Sequence, residues 1–141
     1  MSVKTIDPFK VVTTFGGNII SGYADGTFLN ISRPEDMFTT TVGANGEVVR
    51  VKSNNTMTEI TLTLLQSSLS NDILSGIAVL DEINNLGVLP FAVKDLSGLT
   101  TFFAGDAWIK KFPDQEFGKE AQNREWVFTS AQSLIFIGGN F

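Results

Sequence analysis

Residues 36–66, DMFTTTVGANGEVVRVKSNNTMTEITLTLLQ, read as three successive strands with too little apolar surface for all of them to be buried. In the third, Ile60, Leu62 and Leu64 alternate with Glu59, Thr61 and Thr63, the period-2 pattern of a strand with one face in a core and the other in water. The first two, Met37 to Val42 and Glu47 to Lys52, flank Gly43-Ala44-Asn45-Gly46, whose Asn-Gly supplies the left-handed backbone that a hairpin turn requires. They predict a hairpin carrying Thr39, Thr40, Thr41, Arg50 and Lys52 on its surfaces. A mostly polar two-stranded ribbon is only marginally stable alone in water. Two outcomes are open: a hairpin that protrudes with no partner, or one that pairs with a neighbouring subunit, which would settle both its stability and its exposed edges.

On the amino-terminal side, Phe9 to Phe15 is a β-branched run closed by Gly16-Gly17-Asn18, and Ile19 to Tyr23 returns as its partner. Thr27 to Ser32 continues the sheet after Asp25-Gly26. Beyond the three central strands lies the one convincing helix, about residues 71–86. Ser70 is its expected N-cap, Asp72 an anion in the first turn, Ile73, Leu74, Ile77 and Leu80 its apolar face, continued a turn on by Asn84 with Ile83 beside it, and Gly87 its stop. Strands are then expected at Val88 to Asp95, Leu99 to Lys110, Asn123 to Ala131 and Leu134 to Ile137, with a loop at Phe112 to Gln122. Trp108 and Trp126 fall within strand patterns and read as core anchors. Nine or ten short strands with one flanking helix make a mainly β chain, a β-sandwich or barrel.

A chain of 141 residues, 43% hydrophobic, 18% charged and with four prolines, has the composition of a single globular domain. An arm at 1–8 and the protruding hairpin at 36–53 belong to that domain. The amino-terminal MSVKTIDPFK holds no apolar run of signal-peptide length, and no window approaches a membrane span, so synthesis in the cytoplasm of the producer and no membrane partner are expected.

Cysteine and histidine are both absent, which removes disulfides, thiolate nucleophiles, zinc ligands and the usual general base. Carboxylate pairs could still act, and Asp114 with Glu116 or Asp81 with Glu82 are the nearest in sequence. Solvated surface acids explain them better, so no enzyme, metal or cofactor is expected. Gly16-Gly17 and Gly138-Gly139 lack the Lys-Ser or Lys-Thr and the helix of a phosphate loop.

Five phrases in order along almost the whole chain carry a resemblance: SVKTIDPFKVVTTFGG at 2–17, SGYADGTF at 21–28, VGANGEVVRVKSNN at 42–55, ITLTLLQSSLSNDILS at 60–75 and FGKEAQNREWVF at 117–128. Together they resemble the tail tube proteins of long, contractile-tailed bacteriophages. That resemblance implies a structural virion protein whose hexameric rings, assembled from copies of itself, stack into the inner tube of the tail. Its partners would be the tail sheath, baseplate and tail-terminator proteins, with the tape measure protein and DNA passing through the bore. The alternatives are a tube protein of a secretion or contractile injection system carrying protein cargo, and a stand-alone ligand-binding sandwich.

The charge bears on the conduit. A net charge of minus 5 opposes ordinary phosphate binding, which depends on Lys and Arg displacing counterions. In a conduit an acidic wall lets a duplex slide where a basic wall would hold it. Six copies at minus 5 each give minus 30 per ring. The expected bore-facing residues are Thr39, Thr41, Glu59, Thr61 and Thr63, the other reading of them being an outer solvated face. Expected ring-to-ring and subunit contacts are Val3, Lys4 and Asp7 of the arm with Asn45, Glu47, Arg50 and Lys52 of the hairpin. Phe112, Phe117 and Phe141 are candidates to cover apolar surface between subunits, against a core role.

Overall fold

A computed structural model describes residues 3–140. Ten strands and one helix follow in the order β1 (Val11–Phe15), β2 (Asn18–Ile20), β3 (Leu29–Ser32), β4 (Phe38–Val42), β5 (Val48–Lys52), β6 (Thr58–Leu64), α1 (Ser70–Asn84), β7 (Leu89–Asp95), β8 (Thr101–Lys111), β9 (Arg124–Ser130) and β10 (Ser133–Phe136). Eight strands form one sheet in the order β2-β1-β7-β8-β9-β6-β3, with β10 also on β8; β4 and β5 form a separate two-stranded sheet. The fold is mainly β and sandwich-like, and the sheet does not close into a barrel.

The sandwich arises because β8 serves two neighbourhoods. Its first half lies between β7 and β10 (Phe102 opposite Val93 and Ile135), and its second half pairs with β9 (Ile109 opposite Phe128). β9 and β10 behave as one strand interrupted at Ala131-Gln132, where Ala131 N–H still donates to the Asp106 carbonyl at 2.9 Å. One half-sheet is therefore β2-β1-β7-β8-β10 and the other β8-β9-β6-β3. Phe15 on β1 and Phe128 on β9 are three strand steps apart, roughly 14 Å in a flat sheet, yet their rings lie 5.1 Å apart. Phe91 on β7 meets Phe128 at 5.0 Å in the same edge-to-face manner. The sheet is folded over these rings, and Ile60, Leu62, Leu64, Leu74, Phe102 and Trp126 complete the core.

The alternation expected of β6 is present: Thr58, Ile60, Leu62 and Leu64 are buried, and Glu59, Thr61 and Thr63 face outward. Trp126 is a core anchor whose indole Nε1–H donates to Asn71 Oδ1 at 3.0 Å, tying α1 to the sandwich. Trp108 is not. Along β8 the buried residues are Phe102 and Ala104, then Ala107, so the inward parity changes at Gly105-Asp106. A one-residue shift of parity exchanges the two faces of a strand, and Trp108 emerges half-buried on the outer side.

The helix differs in detail from its expectation. Ser70 is its first residue, and the Ser70 hydroxyl accepts from Ser21 N–H at 2.9 Å; Ser68 Oγ takes the Ser70 N–H at 3.2 Å. Only Ser70, Leu74 and Ala78 are buried, with Ile77 partly so, while Ile73, Leu80 and Ile83 are exposed. A narrow stripe spaced i, i+4, i+8 is what a helix offers when it seals one edge of a sandwich beside β2. Asn85, not Gly87, takes the left-handed turn, at φ 61°. Gly87 is needed for close approach instead: a Cβ there would sit 2.4 Å from Asp81 Cβ, and its N–H donates to Asp81 Oδ1 at 3.1 Å. At the amino-terminal end Pro8–Lys10 forms a 3-10 turn, with Asp7 Oδ1 accepting from Phe9 N–H at 3.0 Å, so β1 starts at Val11 rather than Phe9.

Phe128→Ala is expected to lower subunit stability by about 3–5 kcal/mol, whereas Leu80→Ala should change it by less than about 0.5 kcal/mol. Urea unfolding of the unassembled subunit measures both.

Candidate assembly surfaces

The two half-sheets present opposite chemistry to the outside. On the β9-β6-β3 side, Glu59 lies opposite Thr129 and Ser32, Thr61 opposite Val127 and Asn30, and Thr63 opposite Glu125. Glu59 carries the one ion pair among the described residues, with Lys110 Nζ at 3.9 Å; both ends are half in water, so it adds little stability. The expected trio Glu59, Thr61 and Thr63 is thus gathered on one polar face. On the other half-sheet a single cross-strand row reads Ile19, Thr14, Ala92, Phe103, Leu134. Ile19 and Leu134, its two ends, are 68% and 74% exposed, an apolar stripe without cover in the subunit.

The hairpin β4–β5 pairs with no other strand of the described chain. Opposite residues of an antiparallel pair share a face, which gives the ribbon two distinct sides. One carries Thr39 and Thr41 opposite Val51 and Val49; the other carries Phe38, Thr40 and Val42 opposite Lys52, Arg50 and Val48. Every one of the four valines is more than half exposed. The hairpin was expected to be polar on most positions, and its second strand instead brings three valines into solvent. Thr39 and Thr41 lie on a sheet of their own, not contiguous with Glu59, Thr61 and Thr63. The Arg50 guanidinium stacks over the Phe38 ring at 4.2 Å, which fixes its direction without satisfying its N–H donors. Asn45 and Glu47 are exposed at the tip, where Gly43 N–H donates to the Glu47 carbonyl at 2.7 Å.

What aims the hairpin is a polar clamp at its base. Gln132, in the break between β9 and β10, donates from Nε2 to the Asn54 carbonyl at 3.2 Å and accepts the Thr56 N–H at 3.1 Å; the Thr56 hydroxyl reaches the same Gln132 oxygen. Arg33 Nη2 donates to the Ser133 carbonyl at 2.7 Å, and the Ser133 and Thr58 hydroxyls share a buried hydrogen bond of 2.7 Å. The sequence marked none of these residues: Gln132 and Thr56 are 76 positions apart, and a polar turn carries no signal of what it will touch.

In the arm, Val3 and Lys4 are exposed and Asp7 is half-buried as the cap of the 3-10 turn. Val3, Ile6 and Phe9 are 92%, 78% and 94% exposed, so the arm adds no core to its own subunit. Phe117 is largely exposed beneath Arg124, whose guanidinium lies 5.4 Å from its ring, and Phe112 packs on Trp126 at 5.9 Å. Ser2 of the arm and Phe141 lie outside the described residues. Among the described residues no helix is long and apolar enough to cross a membrane.

Gln132→Ala should cost about 1 kcal/mol and raise amide hydrogen exchange in 48–58 while β9 stays protected. Exchange followed by mass spectrometry reads both regions in one experiment.

Comparison with known proteins places these surfaces in a family. A family model described as the bacteriophage PhiTE tail tube protein matches residues 8–138. Structural protein ORF10 of Pseudomonas phage KPP10 is 29% identical over 123 residues, covering 86% of this chain and 71% of that protein. Two solved structures share the fold. One is the sheath/tube terminator of the PVC extracellular contractile injection system in its extended state (TM-score 0.59, 14% identity, 97% of this chain and 100% of that one). The other is the tube-terminating cap of the anti-feeding prophage (TM-score 0.58, 11% identity, 96% and 94%). Spanned by the family model from the 3-10 turn to the segment after β10, the chain belongs to the bacteriophage PhiTE tail tube protein family.

Proposed function

We propose that copies of this chain close into hexameric rings that stack as the inner tube of a contractile phage tail. The observation that carries this reading is the β4–β5 hairpin, a sheet of two strands with valines on both faces and no further strand paired to it among the described residues. Such a ribbon is stable only when something covers it, and in a homomeric assembly a second copy is always at hand. Heterologous contacts of this kind generate rings where the rotation closes and filaments where it does not; a stacked tube uses both.

In this assembly Glu59, Thr61 and Thr63 face the bore, where a polar, acidic wall passes DNA and tape measure protein without holding them. Thr39 and Thr41 share their side of the hairpin with Val49 and Val51, so we assign that side to a lateral neighbour. The arm with Val3, Lys4 and Asp7, and the hairpin with Asn45, Glu47, Arg50 and Lys52, make the contacts between subunits and rings. The apolar stripe from Ile19 to Leu134 is the other surface that needs protein against it. Sheath, baseplate and terminator proteins are the outer and end partners, the virion tail is the final location, and the host bacterial cytoplasm is the site of synthesis.

A second reading draws support from the likeness to two tube-ending proteins: the chain ends a tube instead of building one. Concentrated purified protein viewed by negative-stain microscopy, with light scattering on the same sample, separates the two. Hollow tubes with a bore wide enough for duplex DNA are expected. Single rings that never elongate would favour the cap, and a monodisperse 15.3 kDa particle would overturn assembly altogether.

A further inference from the structure

The outward face of β8-β9-β6-β3 is not polar throughout. One row across it reads Trp108, Thr129, Glu59, Ser32, so the tryptophan that left the core stands in line with a residue assigned to the bore. One step further toward the root of the hairpin, Met57 precedes Thr58 and Ala131 follows Ser130, the two residues that face each other at the end of β6 and β9. Trp108, Met57 and Ala131, with Asn54, Asn55 and Gln132, line an open cavity of about 430 Å³. Its polar members are already engaged: Asn55 Oδ1 accepts the Met57 N–H at 3.0 Å, and both ends of the Gln132 amide are held in the clamp. Lys110, two residues on from Trp108, is paired with Glu59 at 3.9 Å. What the cavity offers is an indole, a thioether and a methyl group.

Resting on the tube reading above and refining its smooth bore, we propose that this cavity is a bore-side subsite for apolar side chains of the tape measure protein, and that it gives no hold on DNA. A duplex keeps its bases inside and turns outward only sugars and phosphates, with one negative charge per roughly 1.7 Å of axis. It has nothing to place on Trp108 and Met57, and Glu59 in the same row repels it. A protein threaded along the bore presents leucine-, methionine- or phenylalanine-sized groups, which leave water on entering an apolar cavity. The chemistry of the wall thus separates the two cargoes. One cavity per subunit, repeated around each ring and along the tube, makes many weak contacts that together retain a long chain and still release it one contact at a time. The bore holds its protein until ejection and is slippery to the DNA that follows.

The chain has no cysteine, so Trp108→Cys carries a single thiol. In tubes assembled without cargo it should react with N-ethylmaleimide and resist a maleimide on a polymer too bulky for the bore, whereas unassembled subunits should take both. Tubes assembled around the tape measure protein of the same phage are then washed in roughly 1 M salt, where the Debye length is roughly 3 Å and charge contacts are screened. Trp108→Ala tubes should keep about fivefold less of that protein than wild-type tubes, and Trp108→Phe tubes should keep the wild-type amount. Duplex DNA offered in its place should wash out of all three. Labelling of the tubes by the bulky reagent overturns the proposal by putting the cavity on the outside, and labelling by neither reagent overturns it by putting a second copy over the cavity. It is also overturned if DNA is retained, or if Trp108→Ala tubes with a wild-type urea midpoint keep the wild-type amount of tape measure protein. Wild-type protein that forms no tubes would remove the parent reading with it, whereas tubes that fail these labelling or retention tests remove this assignment alone.

Discussion

Three phenylalanines hold the two half-sheets together, and everything outside the core is placed by them. Phe15 and Phe91 are cross-strand neighbours on β1 and β7, with their rings tilted at 5.8 Å, and both meet Phe128 of the other half-sheet edge to face at 5.1 and 5.0 Å, contacts made possible because the long β8 bends from one half-sheet into the other. Aromatic pairs of this geometry add about 0.5–1.5 kcal/mol each beyond the area they bury. With all three rings fully buried, the inward rows of both half-sheets are committed. The outward rows then have no freedom: Glu59, Thr61 and Thr63 must face away on one side, and Ile19, Ala92, Phe103 and Leu134 on the other.

This division gives a subunit that is complete inside and incomplete outside. Its core is closed, and its α-helix needs only three buried residues to seal an edge. Its apolar stripe, its valine-bearing hairpin and its amino-terminal arm all project surface that a solitary soluble domain would cover or replace with charge. In the proposed tube, neighbouring copies would cover such surfaces.

The clamp of Gln132, Arg33, Ser133 and Thr56 connects these two aspects. It joins the break between β9 and β10, which is fixed by the core, to the root of the hairpin, which is not. Hydrogen bonds from a rigid strand to a protruding ribbon let the position of the core set the direction of the hairpin, and they do so without adding buried apolar area. For the hairpin contacts proposed above, rigid presentation would matter, because ordering a mobile ribbon at the moment of contact subtracts from the binding free energy.

The sequence by itself determined the strands and the hairpin. Period-2 alternation in β6, Asn45-Gly46 in the turn, the polar loop at 112–122 and the order of the family phrases are all local signals, set by backbone geometry and side-chain chemistry within a few residues. It also placed Trp126 in the core and gathered Glu59, Thr61 and Thr63 on one face, since a strand cannot do otherwise. Only the tertiary structure decided the rest. Trp108 turned outward because inward parity changes at Gly105-Asp106, and the Ser70 hydroxyl accepts the Ser21 N–H because the segment after β2 runs past the helix start. Ile73 and Leu80 stayed exposed because the helix meets the sandwich along one edge. The clamp beneath the hairpin and the way the two half-sheets meet depend on contacts between residues tens of positions apart. Those contacts follow from how the sheet folds on its phenylalanines, and no local pattern in the chain encodes that geometry.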